Sequence, residues 1–356
     1  MTLAFKHLFL SLVRVGIGHG SVLPEVADWL PVRNLADEQG LTAVVLDGVE
    51  MLPEDLRPPK IALLQWIGET RNNFELRYES YCRALAELAA FYNRNGFRMV
   101  ILKGYACALD WPKSEHRPCG DIDIWQFGQQ KEADEALAEA LGVKVDASHH
   151  YHTVFGWKGF MVENHYDFIN VHAHRSSREM ERVFKELGQD DSHYVEVDGE
   201  KIYLPSPNLH ALFLIRHMSA HFAGASITLR QVLDWAFFAE KHTEAVDWPW
   251  LVGMLERFNM KEFFCCINAI CVEDLGFPAD IFPAVQPLHD LKERVLNDIL
   301  EPEFTAAEPE SFCKRVVFKY RRWRANAWKQ DLCYGESRWS YFWHGVWAHL
   351  LKPASI

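Results

Sequence analysis

Residues 97–125, FRMVILKGYACALDWPKSEHRPCGDIDIW, decide the fold of this 356-residue chain. The stretch opens with an apolar run from Met99 to Leu102, whose composition predicts a short strand. The run ends at Lys103 and Gly104, and a glycine in this position lets a ligand approach the backbone closely. The pattern therefore predicts a strand followed by a turn that can contact a ligand.

The same stretch closes on Asp-Ile-Asp-Ile, residues 121–124. Alternate side chains of a strand point to the same face, so Asp121 and Asp123 are expected to project together while the two isoleucines enter the core. Adjacent carboxylates repel each other unless a cation lies between them, and Mg²⁺ prefers oxygen ligands of this kind. The pattern predicts a divalent-metal site at a strand end. The simpler alternative is a surface strand with two solvated acids.

A third acid is available on the strand predicted over residues 160–171. Glu163, His165 and Asp167 share one face of this strand. If the strand lies beside the Asp-Ile-Asp-Ile strand, one of its two acids completes a site of three carboxylates. The pattern alone does not choose between Glu163 and Asp167, and the polar face of an exposed edge strand is the simpler alternative.

Composition excludes several classes of protein. A chain of this length favours two or three domains, and 49% hydrophobic residues allow a sizeable core. The formal net charge of −12 argues against an extended nucleic-acid interface. No stretch is long enough for a transmembrane helix, so no membrane association is expected. Eight cysteines without a C-x-x-C pair favour a reducing compartment, and we predict a cytoplasmic protein.

The chain divides into three predicted regions. Residues 1–96 are expected to be helical, with one long helix over about 60–95. Residues 97–205 form a small mixed α/β unit, and residues 206–356 are again expected to be helical. The predicted strands are 99–102, 122–125, 154–155, 160–171 and a hairpin over 194–203. The predicted helices of the last two regions are 130–141, 209–223, 228–242, 248–258, 261–275, 311–334 and 339–351.

Three motifs resemble those of one known family: Leu102-Lys103-Gly104, Arg117-x-x-x-Asp121-Ile-Asp123-Ile and Val162-Glu163-x-His165-Tyr166. This is the family of uncharacterised bacterial nucleotidyltransferases, which belongs to the polymerase-beta-like nucleotidyltransferase superfamily. Later residues are similar to the same family, namely His217, His221, Leu229-Arg230 and Leu233-Asp234-Trp235. The resemblance covers most of residues 30–260.

The resemblance implies an α+β fold, with a small mixed-sheet nucleotidyltransferase core flanked by N-terminal and C-terminal helical regions. It implies that Asp121 and Asp123 are paired ligands for Mg²⁺ or Mn²⁺, and that Glu163 is the third acid. The implied reaction moves a nucleoside monophosphate from a nucleoside triphosphate to an acceptor hydroxyl of unknown identity. Lys103 and Gly104 replace the Gly-Ser or Gly-Gly pair of most of the superfamily, and they are expected to bind nucleotide phosphate.

Other polar residues each have two interpretations. Arg117 can bind phosphate or pair with one of the two aspartates. His217 and His221 lie four residues apart, so they share a helix face and belong either to the cleft or to the packing of the helix. Arg230 and Asp234 have the same spacing and either contact the substrate or form an ion pair. The candidate cleft residues are His165, Asp167, His217, His221, Arg230 and Asp234.

Two other functions are compatible with the sequence. The first is a non-catalytic protein that binds a nucleotide or another partner on the same fold. The second is RNA binding by the basic segment 314–329. An apolar stripe in that segment, formed by Val316, Tyr320, Trp323 and Ala327, favours a packed helix with a solvated basic face, so nucleic-acid binding is not the favoured interpretation.

Overall fold

The structure is a computed structural model that describes residues 1–20, 28–172, 174–283, 287–306, 309 and 311–337. The N-terminal helices are α1 Leu3–Gly16, α2 Trp29–Glu38, α3 Thr42–Glu50, α4 Lys60–Thr70 and α5 Leu76–Arg94. A single π-helical segment, Arg71–Glu75, joins α4 to α5. The long helix predicted over 60–95 is therefore present, with one wider turn inside it.

The middle of the chain supplies a six-stranded sheet. Its strands are β1 Val100–Ile101, β2 Ile122–Trp125, β3 His152–Trp157, β4 Phe160–His165, β5 Tyr194–Val197 and β6 Glu200–Tyr203. The spatial order is β3-β4-β2-β1-β6-β5. β2 runs parallel to β4 and β1 parallel to β6, whereas the other neighbouring strands are antiparallel. The sheet is therefore mixed, as predicted.

Helices precede and follow the strands along the chain, and others lie between the strands in sequence. Those within the middle of the chain are α6 Tyr105–Ala108, α7 Gln130–Leu141 and α8 Ser177–Leu187. Those that follow are α9 Pro207–Gly224, α10 Leu229–His242, α11 Trp248–Arg257, α12 Lys261–Ala269, α13 His289–Leu300, α14 Phe312–Ala325 and α15 Ala327–Cys333. The prediction of an α+β protein with a small sheet flanked by helices is confirmed. Across the described ranges, none of these helices has both the length and the apolar character needed to cross a bilayer.

The two faces of the sheet pack against different helices. Ile122 and Ile124 are fully buried in a cluster that includes residues of α5 and α7. Trp125 belongs to a second cluster, which includes Phe184 of α8 and Phe213 of α9. Because side chains alternate along a strand, Asp123 shares the face of Trp125. The sheet therefore directs this carboxylate towards α8 and α9.

The strand predicted over 160–171 is shorter in the structure and ends at His165. The backbone N–H groups of Tyr166 and Asp167 both donate to the carbonyl of Tyr151, so the chain turns away from the sheet. The sequence analysis also missed α8 and α13. In α8 most positions are charged, so a pattern of apolar residues does not stand out.

The helix predicted over 311–334 is divided at Asn326, whose Nδ2 donates to the carbonyl of Gly224 at 3.1 Å. The prediction of a packed stripe is wrong for Tyr320, which is 51% exposed. The prediction of a solvated basic face is wrong for Lys329, which is fully buried. The side chain of Val316 and the helix predicted over 339–351 lie outside the described residues.

Lys329 is buried because it forms an ion pair with Asp298 of α13. The Nζ–Oδ2 distance is 2.5 Å, and neither side chain is exposed. The same ammonium donates to the carbonyl of Ala225 at 2.8 Å, beyond the end of α9. A buried pair of this kind ties three helices together, and removing one partner leaves an uncompensated charge in the interior.

Lys329→Met is expected to destabilise the protein by about 3–5 kcal/mol, because it leaves the Asp298 carboxylate buried and unpaired. Denaturant unfolding measures this free energy. Adding Asp298→Asn should recover part of the loss, since the buried charge is then absent. Lys314→Met, at an exposed position of α14, is the matched control and should change stability little. A stability of Lys329→Met equal to that of this control would contradict the structural role of the pair.

Candidate functional site

Three carboxylates meet at the edge between β2 and β4. Asp121 immediately precedes β2, Asp123 lies within it, and Glu163 lies on β4 directly opposite Asp123. One oxygen of each carboxylate lies within 4.8 Å of the other two. Asp123 is fully buried, whereas the side chains of Asp121 and Glu163 are 41% and 18% exposed. The structure thus brings together the three acids named from the sequence, in a cluster that opens towards solvent at Asp121.

Asp123 has two cationic partners on one oxygen and none on the other. Lys103 Nζ lies 3.0 Å from Asp123 Oδ1, and His165 Nε2 lies 3.2 Å from the same atom. The second oxygen, Oδ2, is buried and has no hydrogen-bond partner. Lys103 Nζ is also 4.0 Å from Asp121. A buried carboxylate oxygen without a partner is costly unless a donor or a cation reaches it.

The histidines beside the acids carry different charges. Burial alone would lower the pKa of His165, but hydrogen bonds to Asp123 and Glu163 raise it to about 9. Burial lowers the pKa of His152 to about 4. Burial would raise the pKa of Glu163, but the contact with His165 and the charges of His152 and Lys103 lower it to about 2. At neutral pH the cluster therefore contains an imidazolium at His165 and a carboxylate at Glu163.

Two groups of side chains lie close enough together to form a metal site, namely His152, Glu163 and His165, and the three carboxylates. Both ring nitrogens of His165 already have partners, because Nε2 lies 3.2 Å from Asp123 Oδ1 and Nδ1 lies 3.2 Å from the carbonyl oxygen of Asp167. The carboxylates offer only hard oxygen ligands, which suit Mg²⁺ or Mn²⁺. The oxygen cluster is accordingly the better candidate cation site.

Asp167, the alternative third acid, lies outside the cluster. Because β4 ends at His165, the alternation that would have placed Asp167 beside Glu163 no longer applies. Its carboxylate forms an ion pair with Lys185 of α8 instead. The interpretation of Asp167 as a cleft residue is therefore wrong.

Arg117 pairs with a carboxylate that the sequence analysis assigned to another partner. Its Nε donates to Asp234 Oδ1 at 2.7 Å and its Nη2 to Asp234 Oδ2 at 2.9 Å. Trp111 Nε1 also donates to Asp234 Oδ1, at 2.9 Å. The prediction that Arg117 pairs with Asp121 or Asp123 is wrong. Asp234 pairs with Arg117 and not with Arg230. Within the part of the chain that the structure describes, Arg230 has no ion pair.

A cavity of about 420 Å³ lies on one side of the acidic cluster, and we call it the Arg230 cavity. Its polar and charged lining residues include Lys103, Arg117, Asp121, His217, His221, Arg230, Gln231 and Asp234. Gly104 also lines it. The backbone of Gly104 has a φ of +62°, and a Cβ there would meet Tyr81 Oη at 2.9 Å. Gly104 is therefore required by its conformation and by close packing.

A second cavity, of about 330 Å³, adjoins the first, and we call it the Arg216 cavity. Four residues line both cavities, namely Lys103, Asp121, His217 and His221. Burial and the charge of Lys103 lower the pKa of both histidines. They therefore line the two cavities as neutral groups at neutral pH. The remaining lining includes Tyr151, Glu163, His165, Phe168, Asn170, His174, Phe213, Arg216 and Tyr334.

Sequence reasoning did not identify Arg216 or the aromatic residues of its cavity. A signal for Arg216 was present, because it is a charged residue in an apolar helical run, Leu212 to Met218, next to His217. No comparable signal marked Tyr334, which is separated from Arg216 by 118 positions in the sequence.

Glu181 of α8 fixes part of the wall of the Arg216 cavity. Its two carboxylate oxygens accept the backbone N–H groups of Phe168 and Ile169, at 3.0 and 3.1 Å. Burial raises the pKa of Glu181 to about 7, above its ordinary value of 4.5. Between these two pH values the folded state binds more protons than the unfolded state. The contribution of Glu181 to the free energy of unfolding therefore falls as the pH rises through this range.

Glu181→Gln removes this titration. The unfolding free energy of the wild type minus that of Glu181→Gln should fall by roughly 3 kcal/mol between pH 4.5 and 7, and stay level outside that range. Denaturant unfolding at a series of pH values measures the difference. Glu179→Gln, at an exposed position of the same helix, should run parallel to the wild type. If the unfolding free energies of Glu181→Gln and the wild type also changed in parallel with pH, Glu181 would be ionised in the folded state.

Comparison with known proteins adds a family to this geometry. A model of the family described as uncharacterised nucleotidyltransferases matches residues 25–276. The matched range includes every strand of the sheet, the three carboxylates, helix α9, which lines both cavities, and helix α10, which lines the Arg230 cavity. No curated protein matches the chain, and no solved structure does. Because the match extends over more than half of the sequence, the chain belongs to the uncharacterised nucleotidyltransferase family.

Proposed function

We propose that the protein is a metal-dependent nucleotidyltransferase of the polymerase-beta-like type. It transfers a nucleoside monophosphate from a nucleoside triphosphate to an acceptor hydroxyl. The observation that carries this proposal is the convergence of Asp121, Asp123 and Glu163 within 4.8 Å, between two cavities. The division into regions 1–96, 97–205 and 206–356 is part of the same proposal.

The chemistry of the donor set fits a divalent cation. The three side chains offer oxygen ligands only, and the buried Oδ2 of Asp123 has no hydrogen-bond partner. We assign Asp121, Asp123 and Glu163 to holding Mg²⁺ or Mn²⁺. When bound, such an ion neutralises charge on phosphoryl oxygens and makes a coordinated hydroxyl more acidic. The contact with His165 and the nearby positive charges together outweigh the effect of burial and keep the pKa of Glu163 low, so Glu163 is available to the cation as a carboxylate.

We place the triphosphate in the Arg230 cavity because of the cationic side chains that line it. Arg230 lines this cavity and has no ion pair among the described residues. Lys103 lines both this cavity and the Arg216 cavity, and Gly104 lines the Arg230 cavity beside it. Arg117 is committed to Asp234, so its role is to position that wall of the cavity. Arg230 and Lys103 are therefore the groups that we expect to bind phosphate oxygens.

One observation favours a second candidate function. Lys103 already neutralises Asp123 at 3.0 Å, as a catalytic cation would. A protein that keeps this pair permanently would bind a nucleotide without turning it over. The two functions differ in their dependence on a divalent ion, because only the enzyme requires the ion for activity.

Asp121→Asn is the most direct test of the proposed metal-dependent activity. It removes one hard anionic ligand and leaves the buried contacts of Asp123 intact. Turnover with Mg²⁺ or Mn²⁺ should fall by at least ~10²-fold, from the several kcal/mol that such an ion supplies. The assay is release of pyrophosphate from each ribonucleoside triphosphate, with water or an added alcohol as acceptor.

Asp167→Asn is the matched control, because Asp167 lies outside the cluster and should leave turnover unchanged. Wild-type turnover in Asp121→Asn would refute the assigned role. Binding of triphosphate without metal-dependent turnover in the wild type would favour the non-catalytic function.

Lys103→Met tests the lysine separately. Without added metal it should lower the unfolding free energy by about 1–3 kcal/mol, because Asp123 loses its ammonium partner in the interior. Added Mg²⁺ should stabilise Lys103→Met more than the wild type, since no lysine then competes for the carboxylates. Thermal unfolding with and without Mg²⁺ measures both effects. Lys131→Met, at an 80% exposed position, is the control. An equal response to Mg²⁺ in Lys103→Met and wild type would show that Lys103 and the ion do not share the acids.

A further inference from the structure

Arg216 is a buried cation whose charge has no counterion among the described residues. It lies on α9 and is 5% exposed. Its Nη1 donates to Tyr334 Oη at 2.8 Å, and its guanidinium carbon lies 5.1 Å from the centre of that ring. Across the described ranges, no carboxylate forms an ion pair with it. An unpaired buried charge is costly, so the position implies that an anion is supplied from outside.

The side chains around Arg216 are aromatic and held in place, which suits the binding of a small molecule. The ring of Tyr334 stacks on His174, with centroids 3.6 Å apart and planes inclined by 11°. His174 Nδ1 in turn lies 3.8 Å from a carboxylate oxygen of Glu336. Tyr334 is therefore fixed from two sides, by His174 and by the hydrogen bond from Arg216. Further aromatic residues, Tyr151, Phe168 and Phe213, line the same cavity.

The two neighbouring cavities carry separate arginines. Arg230 lines only the first and Arg216 only the second, while Lys103 and Asp121 line both. In the proposed function, a triphosphate in the Arg230 cavity satisfies Arg230 and Lys103. It leaves Arg216 without an anion. Glu163 and His165 line only the second cavity, so the Glu163 carboxylate faces the molecule that Arg216 binds.

Resting on the proposed function, we infer that the Arg216 cavity binds the acceptor, and that the acceptor is a small molecule with an oxyanion group and a hydroxyl. Arg216 binds its carboxylate or phosphate, and the aromatic wall packs against its body. The acceptor hydroxyl oxygen forms a bond to the α-phosphorus of the triphosphate. The bond from that phosphorus to the leaving oxygen breaks, pyrophosphate departs, and the hydroxyl proton passes to solvent.

The first experiment uses inorganic phosphate and acetate as probes for the two kinds of oxyanion. Each is titrated into the wild type in the presence of Mg²⁺ and a saturating non-hydrolysable triphosphate, which occupies the Arg230 cavity. Binding is followed by thermal unfolding, because a ligand of the folded state raises its stability. We expect at least one probe to bind, and the stronger of the two identifies the oxyanion. Arg216→Gln should weaken that binding by roughly tenfold to a hundredfold, and Arg216→Lys should weaken it less.

A second pair of variants leaves Arg216 in place. Ala220 lines the same cavity four residues further along α9, so a carboxylate at 220 can pair with Arg216. Ala220→Glu should abolish binding of the probe, whereas Ala220→Gln, of equal size and without charge, should retain it. This pair keeps the test decisive even if Arg216→Gln does not fold.

The outcomes separate this inference from the proposed function. A wild type that binds neither probe, or an Ala220→Glu protein that binds the probe as well as Ala220→Gln, would overturn the acceptor assignment. Failure of the wild type to bind the triphosphate in the same assay would instead overturn the proposed function. Arg230→Gln should weaken triphosphate binding and leave the response to the probe in the Arg216 cavity intact. If Arg230→Gln instead weakened binding of the probe and left triphosphate binding intact, the two cavities would have opposite roles. That result would overturn the placement of the acceptor beside Arg216.

Discussion

The burial of the Asp123 carboxylate is the constraint on which the site depends. An ionised carboxylate in the interior is costly unless charged groups compensate it. Lys103, after β1, and His165, at the end of β4, both contact one oxygen of Asp123. The charge of one residue thus fixes the ends of three neighbouring strands, β1, β2 and β4. The same contacts leave the other oxygen without a hydrogen-bond partner, beside the carboxylates of Asp121 and Glu163.

Local patterns were sufficient for much of the fold and for the acidic pair. Alternation along residues 121–124 predicted one face for the aspartates and the core for the isoleucines, and Ile122 and Ile124 are fully buried. Alternation could not decide between Glu163 and Asp167, because that choice depends on where β4 ends. The end is set by a turn against Tyr151, on a different part of the chain. Strand length therefore needed tertiary information that the periodicity of the segment does not contain.

Long-range pairing explains the other differences between prediction and structure. The spacing of Arg230 and Asp234 is suited to a pair along one helix. Arg117 captures Asp234 instead, from 117 positions away, through two hydrogen bonds in a buried setting. A bidentate contact of this kind is stronger than a solvated pair along a helix. The pairing of Arg117 with Asp234 matters for the candidate site, because it leaves Arg230 lining a cavity without a carboxylate partner among the described residues.

The charges at the centre also suit the proposed binding of a metal–nucleotide complex. Three carboxylates face the ammonium of Lys103 and the imidazolium of His165, which leaves about one net negative charge. This near balance lets the cluster persist without a bound ion. A divalent cation alone would reverse the sign, whereas a cation that arrives with a triphosphate brings its own negative charge. In the proposed complex, Arg230 and Arg216 meet the remaining anionic groups, each in its own cavity. Under this proposal the charges favour joint binding of cation, nucleotide and an anionic acceptor over binding of any one of them alone.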